Sequence, residues 1–204
     1  LALARASLRR GKGRAPAGTG ALQRKVLAAL PYRMTGAQER ALAEITADMA
    51  ATTRMSRLLQ GDVGAGKTLV AFLALLAAVE AGGQGAMMAP TEILARQHLE
   101  SLRPLAEAAG VTVEVLTGRA RGPERAAKLA ALAEGGIHIL VGTHALFQKE
   151  VAFRDLRLAI VDEQHRFGVA QRMELAAKGL TADMLVMTAT PIPRSLSLAQ
   201  YGDM

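Results

Sequence analysis

The sequence predicts an α/β domain in which a mainly parallel sheet lies between two layers of helices. Three observations predict it. Short apolar runs recur without polar alternation, as expected of strands buried on both faces. Segments with apolar residues at helical spacing separate them, which is the pattern of parallel strands joined by crossover helices. Half of the 204 residues are hydrophobic but only 3% are aromatic, and a core rich in Ala and Leu suits helices packed on a sheet.

The strands are read as RLLQ (57–60), GAMMAP (85–90), VTVEVLTG (111–118), IHILVG (137–142), LRLAIVDE (156–163) and DMLVMTAT (183–190). The helices are AQERALAEITADM (37–49), KTLVAFLALLAAVEAG (67–82), TEILARQHLESLRPLAEAAG (91–110) and PERAAKLAALAEGG (123–136), with a short one around 169–178. Thr91 is a helix cap by type and position, and Pro104 is expected to kink or break its helix. LALARASLRR (1–10) reads as the tail of a helix, and RGKGRAPAGTG (10–20) as a flexible connector. Both ends of the sequence look cut, which suggests a piece of a longer chain.

Charge is concentrated. Residues 1–38 carry eight basic side chains and no acid, so the whole net charge of +7 resides there; the other 17 basic residues face 18 acidic ones. Such an arm either neutralises phosphates or is a solvated linker. The chain has no cysteine, which excludes disulfides and thiolate metal sites. It has no apolar run of transmembrane length and no signal-peptide pattern.

GDVGAGKT (61–68) matches G-x-x-x-x-G-K-[ST] in full, with a strand before it and a long helix after it. Gly61, Gly64 and Gly66 let the backbone turn tightly, and the amides of Asp62, Val63 and Ala65 belong to the same phosphate cradle. Lys67 reaches the β- and γ-phosphates of ATP, and the Thr68 hydroxyl binds Mg²⁺. A chance glycine-rich turn would not come with the right strand and helix on each side. Such a loop needs a carboxylate at a neighbouring strand tip. LAIVDE supplies Asp162 for the metal and Glu163 to deprotonate the attacking water. The same acids would suit a helix cap, a use hard to sustain beside a complete phosphate loop. Gln164 and His165 follow, and bonds from them to Thr188 or Thr190 would transmit the state of the γ-phosphate to another surface.

DEQH, GDVGAGKT, APTEILARQH, GTHAL, FGVAQR and TATPIPR together resemble the first motor domain of RecG-type DNA helicases in helicase superfamily 2, over about residues 30–204. The resemblance implies a RecA-like three-layer α/β/α fold of the P-loop NTPase class. It implies that residues 1–29 link this domain to an N-terminal wedge domain, and that a second RecA-like domain with arginine fingers completes the ATP site. Tyr32 and Gln38 would then meet adenine, although Gln38 also reads as an exposed helix residue. Pro90, Thr91, Arg96, Gln97, Thr117, Gly118, Thr143 and His144 would line a DNA strip at the strand tips. The implied activity is Mg-ATP-driven remodelling of branched duplex DNA, forks and Holliday junctions, in the bacterial cytoplasm at the nucleoid. Transcription-repair coupling translocases look similar but carry no His at position 165 of this box. A nucleotide-binding module without motor activity is the alternative from another class, and Glu163 argues against it.

Overall fold

Six of the seven strands run parallel, and the sheet order is β1-β2-β7-β6-β3-β5-β4. The structure is a computed structural model and describes residues 1–5, 18–119, 121–163 and 182–189. The strands are β1 (Ala2–Arg5), β2 (Ser56–Gln60), β3 (Gln84–Met88), β4 (Val113–Leu116), β5 (Ile139–Gly142), β6 (Leu156–Glu163) and β7 (Asp183–Thr188). The helices are α1 (Ala21–Ala29), α2 (Gly36–Met49), α3 (Lys67–Glu80), α4 (Glu92–Ala109) and α5 (Gly122–Glu134).

Strand alternation sorts the core into two layers. Leu158 and Ile160 of β6 join Leu59, Met87, Ile139 and Leu185 under α1 to α4. Ala159 and Val161, one residue out of step, join Met88, Leu140 and Leu132 of α5 on the other face. Helix α3 is apolar almost all round, and nine of its residues are buried. It therefore stands at the centre of its layer rather than at the edge. Among the described residues no helix is long and apolar enough to cross a membrane.

Three expectations need correction. LALAR is not the tail of a helix: β1 pairs antiparallel with β2, in register from Ala2 opposite Gln60 to Arg5 opposite Arg57. Without it, the outer edge of β2 would leave its backbone groups unpaired. Pro104 does not break its helix, because α4 runs unbroken from Glu92 to Ala109. The buried Leu102, Ala106 and Ala109 on either side of Pro104 hold the helix to the sheet, which offsets the missing N–H.

The third correction concerns the solvated-linker reading of the basic arm. Its residues 21–29 form α1, which packs on the core through the fully buried Val26. Its first turn is capped from a distance. The Glu80 carboxylate, at the end of α3, accepts bonds from Thr19 Oγ1 (2.7 Å), Gly20 N–H (2.8 Å) and Ala21 N–H (2.9 Å). These satisfy amides that the helix itself leaves open, and they hold the Glu80 carboxyl below its ordinary value although burial opposes them. Residues 6–17, 120, 164–181 and 190–204 lie outside the described residues, and with them the expected helix at 169–178.

Two predictions follow from this packing. Glu80→Ala should lower unfolding stability by about 1 kcal/mol, the usual worth of a cap, as read by chemical denaturation. Asp183 should make stability depend on pH. Burial pushes its carboxyl up to about 6, against the bond it accepts from Met55 N–H and the charge of Arg54, while Asp48 adds to the rise. The folded chain then binds a proton that the unfolded chain releases near pH 4, so this contribution falls as pH rises from about 4 to about 6 and is gone above. Denaturation at pH 5 and pH 7.5 should differ by about 1 kcal/mol from this group, and Asp183→Asn should flatten the difference.

Candidate nucleotide site

The parallel strands end at one edge of the sheet, and the sequence motifs collect there. The loop 61–66 leaves β2 and enters α3, with Gly64 at φ 83° and Gly66 at φ 75°. That left-handed geometry costs any residue with a Cβ. Gly66 is doubly constrained, because a Cβ there would collide with the Gln38 side chain. No side chain caps the start of α3, so its first amides are available to an anion. The Lys67 ammonium folds over the loop and donates to Gly61 O and, at 2.8 Å, to Asp62 O. Asp62 and Val63 are exposed at the loop tip, while Ala65 and Thr68 are half-buried.

Gln38 is buried, so it is not an exposed helix residue. Its Oε1 accepts from Thr35 N–H (2.9 Å), and the Gln38 N–H donates to Thr35 Oγ1 (3.3 Å), which closes a capping box on α2. Its Nε2 donates to Ala65 O (3.0 Å). The side chain thus ties α2 directly to the phosphate loop. Tyr32 is 57% exposed in the segment just before α2.

Three strand tips form a row behind the loop. Gln60 pairs with Thr188, and Thr188 with Glu163. Gly61 N–H, the first amide of the loop, donates to Thr188 O (3.2 Å). One residue back on β6, Asp162 is 6% exposed. A partner that sequence reasoning missed holds it: His98 Nε2 lies 2.8 Å from Asp162 Oδ2. The available signal was the place of His98 on the apolar stripe of α4, three residues after Ala95 and four before Leu102. Gln164, His165 and Thr190 lie outside the described residues, and Glu163 is placed by its backbone.

The donor set suits a hard cation. Thr68 and Asp162 offer oxygen, and magnesium needs only one or two protein ligands beside phosphates and water. Among the described residues no group of three or more His, Cys, Asp or Glu could hold a metal by itself. A cavity of about 550 Å³ lies at the opposite edge of the sheet, between the ends of α2 and α3 and the start of β7. It carries none of the motif residues.

The predicted DNA strip is only partly at the surface. Met88, Gly142 and Leu116 align across β3, β5 and β4, so the segments after them share one edge. Thr91 caps α4 through Leu94 N–H (3.2 Å). Thr91, Arg96, Gln97, Gly118 and His144 are exposed, and Pro90 is half-buried. Arg119 pairs with Glu92 at 3.2 Å, which brings the 116–119 turn against the start of α4. Thr117 and Thr143, however, are 2% and 3% exposed. They leave their strands pointing into the fold, so in this structure neither offers DNA a surface.

Comparison with known proteins agrees with this geometry. The DEAD/DEAH box helicase family model matches residues 35–198. The chain is 56% identical over 180 residues to an ATP-dependent DNA helicase RecG of Bacillus subtilis, covering 88% of this chain and 26% of that protein. It is 51% identical over 187 residues to the RecG helicase of Escherichia coli K12, covering 90% and 27%. A solved structure of RecG bound to a three-way DNA junction superposes with a TM-score of 0.77 at 43% identity, over 95% of this chain and 26% of that one. The chain thus spans about a quarter of the length of these relatives. It belongs to the DEAD/DEAH box helicase family, and the resemblance to the first motor domain of RecG-type helicases is borne out.

Proposed function

We propose that this chain is the ATP-hydrolysing motor domain of an enzyme that remodels branched DNA, working with a second RecA-like domain and an N-terminal wedge of the same parent. The row Gly61–Thr188–Glu163 beside Asp162 carries this reading, because it joins the phosphate loop to both acids through one stretch of sheet. The relatives' RecG assignment and the junction-bound RecG structure support the choice of branched DNA.

In this reading the loop amides and the start of α3 bind the ATP phosphates, and Lys67 leaves its loop carbonyls for the terminal phosphate oxygens. Thr68 and Asp162 would hold Mg²⁺, which when bound offsets the charge of the phosphates. Glu163 accepts the proton of the attacking water. Gln38 and Tyr32 would meet the adenine: Gln38 would exchange an internal bond for the base, and Tyr32 would stack on it. Thr188, with Gln164, His165 and Thr190, would carry the state of the site to the neighbouring domain. Thr91, Arg96, Gln97, Gly118 and His144, flanked by Pro90, would meet the DNA backbone rather than base edges. Binding should then be indifferent to sequence and sensitive to salt. Such an enzyme acts in the cytoplasm on nucleoid DNA.

The test is ATP hydrolysis by the full-length parent on single strands, linear duplex and a model fork. Forks should stimulate most, and Glu163→Gln should lower turnover by about two to four orders of magnitude, the range of a general base. Equal stimulation by linear duplex would point to a duplex translocase, and none by any DNA would overturn the motor reading. The 204-residue chain alone should turn over far more slowly than the parent, because an arginine supplied from outside is worth about 10³–10⁵ in rate in P-loop enzymes.

A further inference from the structure

Among the described residues, helix α4 faces the sheet with an apolar stripe to which His98 adds a polar contact. Ala95, Leu99, Leu102, Ala106 and Ala109 are buried. Among them His98, its side chain 13% exposed, reaches Asp162, which is 8% exposed at the side chain. The two residues are 64 positions apart in the chain. The apolar stripe already docks α4, so the polar contact is not needed to hold the helix in place. A buried polar pair is also no better for stability than apolar side chains of similar volume. Its effect falls instead on Asp162. A carboxylate at a strand end rotates freely about its terminal torsion, and a donor fixed to a helix removes that freedom. The bond engages Oδ2, and a single donor on one oxygen is how outer groups orient a metal-binding carboxylate.

We propose that His98 is a positioning residue for the metal carboxylate: the His98–Asp162 hydrogen bond sets the orientation in which Asp162 meets the cation. The proposal rests on the reading of Asp162 as the magnesium residue. It also means that the helix whose exposed start carries Thr91, Arg96 and Gln97 holds one wall of the ATP site.

The test uses the full-length parent with ADP bound and Mn²⁺ as probe, its binding followed by the loss of the free-ion electron paramagnetic resonance signal. His98→Phe keeps the bulk and removes the donor; His98→Gln keeps a donor. His98→Phe should weaken Mn²⁺ binding about ten-fold, the lower end of the effect of such outer groups. Affinity for a fluorescent ATP analogue without metal should stay within about two-fold of the wild type, and His98→Gln should recover most of the Mn²⁺ affinity. Unchanged Mn²⁺ affinity in His98→Phe would overturn the proposal. So would a parallel fall in metal-free nucleotide affinity and thermal stability, which would mark a purely structural contact. Asp162→Asn separates the two levels: if it leaves Mn²⁺ affinity intact, the metal reading of Asp162 fails and takes the proposal with it.

Discussion

Parallel pairing of β2, β7 and β6 is the constraint on which the rest of the structure depends. Parallel strands bring their carboxyl ends to one edge, and ligands of such sheets bind there. Here the pairing places Gln60, Thr188 and Glu163 side by side and carries the phosphate loop on the first of the three. The loop is further tied down by Gly61 N–H to Thr188 O and by Gln38 to Ala65 O. A slip of one residue would turn Asp162 to the other face of the sheet and separate it from α4. The long apolar strands and the buried α3 are therefore the device that keeps the acids in line with the loop.

Local motifs were the most legible part of the sequence. The phosphate loop carries its own geometry in its glycines, and its flanking strand and helix follow from hydrophobic period. The acids at the end of LAIVDE could be placed because a long apolar run leaves no other reading than a buried strand. Thr91 was recognisable as a cap because a cap depends on three neighbouring residues.

Less legible was whatever depends on distant partners. A four-residue strand such as β1 has too little pattern to be told from a helix end, and only the free edge of β2 decides it. Pro104 obeys packing rather than propensity. Thr117 and Thr143 stand in turns that read as exposed, yet the tight alignment of β4, β5 and β3 draws them inward. The cap on α1 comes from Glu80, some sixty residues away, and so the helix was hidden inside what looked like a basic linker. His98 shows the same limit within the site, since nothing adjacent to it names Asp162 as its partner.

The edge strand has a practical consequence. Because β1 runs antiparallel to β2, its first residue ends beside the phosphate loop, and a Cβ on Gly61 would touch the side chain of Leu1. Any polypeptide fused ahead of Leu1 therefore emerges at the mouth of the nucleotide site. A fluorophore carried at that point would sense the filling of the phosphate loop directly, without a label on the loop itself.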